Sequence, residues 1–155
     1  MNNIGPCTIV DPSPPEIFEV DKEFHKKSKE SKSVAAITTF LFPNFSNIFT
    51  EYIEMGIRLS LIITNELSDK VKSDCPDEVT KLMDSENVEI YVHEEDMHLV
   101  SFTQNDCGLM LRLLSNSNPP SYDYKRIFFQ SPGALEWGKD LFDHYKHNSV
   151  LLTGI

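Results

Sequence analysis

The sequence predicts an α/β domain, a layered mixed β-sheet with helices on both faces, and three observations lead there. Two nearly all-apolar, β-branched runs of strand length, VAAITTFLF (34–42) and IRLSLIIT (57–64), have the composition of strands covered on both sides. Between them NFSNIFTEYIEMG sets Phe45, Ile48, Phe49 and Tyr52 at helical spacing, with Gly56 placed as the stop. Beyond residue 93 the pattern changes to strands separated by turn residues alone, which should pair antiparallel.

The elements follow in order. CTIV (7–10) is a short strand, separated by the stiff proline cluster DPSPPE (11–16) from a first helix through KEFHKKSKESK that Asp21 can cap. After the helix ending at Gly56 and the strand 57–64, NELSDKVKSD and PDEVTKLMDS form two short helices. Pro76 suits a first helical position, where a missing N–H is harmless. NVEIYVH (87–93) is the next strand. MHLVSFTQ and CGLMLRLL are two more, joined by NDCG, and YKRIFFQ (124–130) follows the loop SNSNPPSYD. The closing helix starts at a Ser131 cap with Pro132 first, and Ala134, Gly138, Leu141, Phe142 and Tyr145 make one stripe.

At 155 residues the chain fits one domain, residues 1–155, with room for a sizeable core. A formal net charge of -10 repels phosphate backbones, so direct nucleic-acid reading is disfavoured. The basic run HKKSKESK (25–32), interrupted by Glu30, fits the wet face of a helix. No apolar stretch is long enough to cross a bilayer, and MNNIGPCTIV lacks the features of a secretory signal, so a cytoplasmic location is expected. Cys7, Cys75 and Cys107 are odd in number, widely spaced and without a C-x-x-C pair. They are expected as reduced thiols in or near the core rather than as a disulfide framework or zinc ribbon.

The chemistry concentrates in YVHEEDMHLVSFTQND (91–106). If EED turned the chain, His93 and His98 would face each other across a hairpin, Cβ atoms about 5 Å apart, with Asp96 beside them. Neither H-E-x-x-H nor C-x-x-C supports a metal there, and none is assigned; a solvated hairpin tip is the simpler expectation. G-x-S-x-G, P-loop and G-x-G-x-x-G patterns are missing, and Cys107 has no adjacent cation to lower its pKa. Arg112 differs: an arginine flanked by leucines in a strand calls for a carboxylate partner or an anionic ligand. Trp137 and Tyr145 fit a core or an interface better than a ligand platform.

His98, Val100 and Asn105 have the spacing H-x-V-x-x-x-x-N, which resembles the H-x-K-x-x-x-x-D motif of phospholipase D-type phosphodiesterases. The ending LFDHYKHN is similar to that superfamily's closing helix. The resemblance implies a phospholipase D-like fold, in which the histidine is the nucleophile, the lysine supplies positive charge to the phosphoryl oxygens and the aspartate completes the motif. Phosphoryl transfer depends on positioning and charge stabilisation. Val100 offers no charge and Asn105 no carboxylate, so the expectation is a chain without catalysis, with His98 in a hydrogen-bonded structural role.

SVAAITTFLFPNF, MGIRLSLIITNELSDKV, NVEIYVHEEDMHLVSFTQND and SPGALEWGKDLFDHYK together resemble a second family, the effector domain of archaeal winged-helix transcriptional regulators of the methanogenesis-regulatory type. The similarity runs over residues 4–148, and ALEWGKDLFDHY is its most specific part. It implies a cytoplasmic, ligand- or protein-responsive module, homodimeric, touching DNA only through a winged-helix domain that nothing before Ile4 supplies. The leading expectation is therefore a non-catalytic domain that senses a small-molecule effector and dimerises, with no cofactor and no membrane partner. Ligands of open α/β sheets sit beyond the carboxyl ends of the strands. That points to Phe42, Thr64 and His93, with His98 and Arg112 on the adjoining hairpin and Arg112 as the anion partner. The competing expectations are a residual phosphodiesterase using His98 and a protein-docking domain without ligand.

Overall fold

The structure, a computed structural model, describes residues 5–11, 21–41, 44–95, 99–113 and 125–152. In chain order it contains β1 (Cys7–Val10), α1 (Lys22–Lys29), β2 (Ser33–Thr38), α2 (Phe45–Glu54), β3 (Arg58–Thr64), α3 (Asn65–Asp74) and α4 (Pro76–Met83). These are followed by β4 (Val88–His93), β5 (Ser101–Gln104), β6 (Leu109–Arg112), β7 (Arg126–Phe129), α5 (Pro132–His147) and β8 (Ser149–Leu151). The strands form one sheet in the order β1-β7-β6-β5-β2-β3-β4-β8. Only the β2–β3 and β3–β4 pairs within it are parallel.

Side chains alternate across the sheet, and the alternation separates two cores. Leu59, Leu61 and Ile63 of β3 pack with Ile48 and Tyr52 of α2, Leu67 and Val71 of α3, and Val79 and Leu82 of α4. Ile62, on the opposite side of the same strand, joins Ile37, Phe102, Leu109, Ala134 and Phe142 under α5. A strand buried from both sides cannot carry polar residues at alternate positions, which is why 57–64 reads as an uninterrupted apolar run. Each such leucine or isoleucine contributes about 1.5–3 kcal/mol by leaving water.

The helix ends have the predicted chemistry. Asp21 accepts from Phe24 N at 2.9 Å, and Ser131 Oγ accepts from Ala134 N at 3.1 Å with Pro132 in the first turn of α5. Gly56, at φ 76°, ends α2 in the left-handed region that other residues resist. On the other face α5 approaches closely at Gly138, where a Cβ would lie 2.9 Å from Leu109 Cδ2 and against the Gln104 side chain.

The structure corrects the sequence reading at several points. β4 pairs with β3 and β8, and β5 with β2 and β6, so β3 and β2 stand between them and residues 87–104 are not a hairpin. The chain leaves β4 and re-enters the sheet beyond β2, and His93 does not face the strand that follows His98. The local turn residues after His93 were misleading because strand neighbours are chosen by the whole sheet. β8 was not anticipated; with Val150 60% and Leu151 47% exposed, SVL resembles a tail yet pairs with β4. β2 ends at Thr38 and β5 begins at Ser101, both shorter than expected. The cysteines are free, but Cys7 and Cys107 are exposed and Cys75 is half-buried. Cys7 sits on an edge strand exposed at all its positions, and Cys107 sits in a turn.

Candidate functional site at the topological switch point

From β2 the chain builds outward through β3 to β4, then returns to add β5 on the other side of β2. β2 thus has a parallel neighbour on one side and an antiparallel one on the other. The carboxyl end of a strand at such a reversal is where open α/β sheets form a crevice. A cavity of about 70 Å³ lies there, between the sheet and helices α1 and α2. Phe24 and Tyr52 cover it, Ala36, Leu61, Thr103 and Met110 floor it, and the buried Thr38 and Ser101 line it beside them. Thr38, Ser101 and Arg112 form one row across three strands. Arg112 is 2% exposed, and its Cζ lies 5.5 Å from the centre of the Phe40 ring, another wall of the cavity.

Above the cavity the two helices are joined by polar contacts. His25 Nδ1 and the Tyr52 hydroxyl are 2.8 Å apart, His25 Nε2 lies 3.6 Å from Glu51, and Lys29 Nζ lies 3.2 Å from the same carboxylate. Burial, aided by the Lys29 charge, lowers the His25 pKa below its ordinary value against the opposing pull of Glu51. Burial also pushes the Tyr52 phenol up to about 12, so it stays a neutral hydrogen-bonding group.

Two of the three positions in the H-x-V-x-x-x-x-N pattern are described; His98 lies outside the described residues, as does Phe42. Val100 is 2% exposed. Its N–H donates to Arg112 O at 3.0 Å, and its carbonyl accepts from Thr39 N at 3.1 Å and from Thr39 Oγ1 at 2.8 Å. Asn105 is equally enclosed. Its Nδ2 donates to Ser28 Oγ at 3.0 Å and to Phe24 O at 3.4 Å, while its Oδ1 accepts from Cys107 N at 2.8 Å and Gly108 N at 2.9 Å. The amide therefore builds the β5–β6 turn with one end and ties down α1 with the other. A carboxylate could do only the first.

The remaining predicted residues fall into two groups. Thr64 and His93 are ladder partners, and His93 pairs onward with Ser149. Thr64 follows Ile63, which shares a row with Thr38, so this second group lies on the opposite face from Arg112. Four strand steps separate β6 from β4, roughly 19 Å at ordinary spacing. Thr64 Oγ1 accepts from Leu67 N at 3.0 Å as the α3 cap. His93 is 5% exposed, with Nδ1 3.2 Å from Ser149 Oγ and its ring edge-on to Tyr145 at 5.1 Å. Sequence reasoning overlooked Thr38, Ser101 and Tyr52. The usable signal was the change from parallel to antiparallel pairing, which marks β2 as the reversal point. Among the described residues no group of three His, Cys, Asp or Glu side chains could hold a metal ion, and no helix is long and apolar enough to cross a membrane.

This eight-stranded sheet with its flanking helices has the phospholipase D-like fold. Nuc from Salmonella typhimurium, a phospholipase D family member, superposes with a TM-score of 0.61 at 7% identity, over 96% of this chain and 100% of that one. NucT from Helicobacter pylori gives 0.66 at 10% identity, over 95% and 99%. TrmBL2, an archaeal chromatin protein with a novel mode of DNA binding, gives 0.70 at 11% identity, over 95% of this chain and 54% of that one. At such identities the likeness establishes the fold alone. Residues 17–148 match the family model of the middle domain of the methanogenesis regulatory protein FilR1, and the chain belongs to that family. FilR1 of Methanothrix harundinacea (strain 6Ac) is 26% identical over 145 residues, 91% of this chain and 32% of the relative. The chain spans about a third of that curated relative's length.

Proposed function

We propose that this is the non-catalytic, ligand-sensing and dimerising domain of an archaeal transcriptional regulator. It works in the cytoplasm and touches DNA only through a winged-helix partner domain. The observation that carries the non-catalytic half is Asn105, whose four hydrogen bonds are all committed to folding, two of them as a donor. Val100, buried just before β5, leaves the motif's cationic position without charge. Sensing is supported by a cavity at the reversal point, one of whose walls, Phe40, packs against the buried Arg112 guanidinium. Of the five residues first singled out, we assign ligand contact to Arg112, and structural roles to Thr64 and His93 at the neighbouring strand ends; Phe42 and His98 lie outside the described residues.

The test is a pair of measurements on the intact chain. With bis(p-nitrophenyl) phosphate, hydrolysis should not exceed buffer and His98→Ala should change nothing; turnover abolished by that substitution would make the protein an enzyme. In a thermal-shift panel of metabolites, a true effector at a hundredfold over its Kd should add about 2.7 kcal/mol to the folded state. A panel without a hit would favour a docking domain. Sedimentation should show a dimer.

A further inference from the structure

We infer that the interior of the switch-point cavity binds a small uncharged hydroxyl compound, about the size of ethanol, through the Ser101 side chain. This rests on the sensing reading above and goes beyond it in naming the place and the ligand class. It also separates the site from Arg112, which stands beyond the Phe40 ring and does not line the interior. Size is the first constraint. A volume of about 70 Å³ is about half of the ~150 Å³ apolar cavity that admits benzene. By that measure it holds about three or four non-hydrogen atoms, too few for a sugar, a nucleotide base or an amino acid.

Charge is the second constraint. None of the residues lining the cavity is ionised, so a carboxylate or an ammonium placed inside would lose its hydration with no partner to replace it. Hydrogen bonding is the third. Among the described residues four bring a hydroxyl to the lining, and two of these are committed. Thr38 Oγ1 donates to Phe40 O at 2.6 Å, and the Tyr52 hydroxyl lies 2.8 Å from His25 Nδ1. The other two, Ser101 and Thr103 on one face of β5, make no side-chain hydrogen bond among the described residues. Ser101 is 5% exposed, and its oxygen opens onto the cavity rather than into packed protein. A ligand hydroxyl can donate to it or accept from it. The carbon end then lies among Ala36, Ile48, Leu61 and Met110. A lone water would satisfy Ser101 without using those walls, whereas an ethyl group adds dispersion contacts with them.

The experiment titrates the intact chain with ethanol while the methyl signals of Met110 and Ile48 are followed by NMR. Three non-hydrogen atoms limit the Kd to roughly 0.5 mM at best, so the titration runs through the millimolar range. Ethanol should move both signals saturably. Acetate and ethylammonium, matched in size but charged, should not, and neither should the bulkier tert-butanol. Ser101→Ala should weaken ethanol at least fivefold while leaving xenon, which needs only apolar space, bound as in wild type. Ala36→Val should exclude both. Because added carbon at Ala36 can also shift the sheet, the ethanol-against-xenon comparison in Ser101→Ala provides the independent readout. No saturation by ethanol, equal saturation by acetate, ethylammonium or tert-butanol, or an ethanol affinity indifferent to Ser101→Ala would each overturn the assignment. A thermal-shift hit whose affinity ignores both Ser101→Ala and Ala36→Val would remove this site and leave the sensing reading standing.

Discussion

At the carboxyl end of the parallel strands the two faces of the sheet treat polar residues differently. Under α5, the Thr64–His93–Ser149 row is closed on itself: the threonine caps a helix, the histidine meets the serine, and Ser149 Oγ donates to Tyr145 O at 2.7 Å. Under α1 and α2, Thr38 Oγ1 likewise donates to Phe40 O at 2.6 Å, but Thr38 and Ser101 of the Thr38–Ser101–Arg112 row also line apolar space. The first arrangement fastens the short edge strand β8 to the sheet. The second keeps a buried cation beside a volume that a ligand could enter. Polar residues at strand ends thus serve closure on one face and, on our proposed reading, recognition on the other, and chain position alone does not say which.

The hardest attempt to break this division is to restore the missing catalytic letters. Val100→Lys places an ammonium where only 2% of the residue reaches solvent, and should cost about 3 kcal/mol or more in urea denaturation. Asn105→Asp should cost about 1–3 kcal/mol, because a carboxylate would face Phe24 O and Ser28 Oγ without a proton to give the carbonyl. The double variant should still not hydrolyse bis(p-nitrophenyl) phosphate. A stable, active double variant would mean the recognition face is a catalytic site lacking only its cation.

That outcome also bears on what the sequence could reveal. Segments whose burial follows from their own pattern were legible: 57–64 as a doubly covered strand, the α2 stripe ending at Gly56, and α5 from its Ser131–Pro132 start. The loss of motif chemistry was legible too, since a valine at a cation's position needs no structure to interpret. Neighbour relations were not. Nothing local to EED says that β2 and β3 separate β4 from β5, and nothing in SVL says that three half-exposed residues will pair with β4. Arg112 stood out as an arginine among leucines, but its assignment to the same site as His93 failed because alternation placed them on opposite faces.

A milder pair of substitutions sharpens the contrast in packing. Gly138→Ala puts a methyl against Leu109 and Gln104 on the closed face, and should lose about 1–3 kcal/mol. Ala36→Val adds carbon beside the cavity and should stay within about 1 kcal/mol of wild type, since filling space recovers contacts. Reversed costs would show that the slack lies under α5. Next in size, His93→Ala should lose about 1–2 kcal/mol with its Tyr145 edge contact and Ser149 bond. Hydrogen exchange at Val150 should accelerate.

The smallest expected effect is on the recognition face and depends on pH. His25 joins α1 to Tyr52 and Glu51 on α2. Burial and Lys29 hold its folded-state pKa below the unfolded value of 6.5, despite Glu51. Between those two values the unfolded chain binds the extra proton, so stability from this group is complete above 6.5 and is lost as the pH falls through the lowered value. Tyr52, held neutral up to about 12, adds no slope in that range. Wild type should therefore lose slightly more Tm than His25→Gln on going from neutral to mildly acidic buffer, by less than about 2 °C. Glu51 limits the effect, because its carboxylate, 3.6 Å from Nε2, favours the protonated ring. An identical acid slope in His25→Gln would place the titration on carboxylates elsewhere and leave the α1–α2 contact over the cavity insensitive to protons.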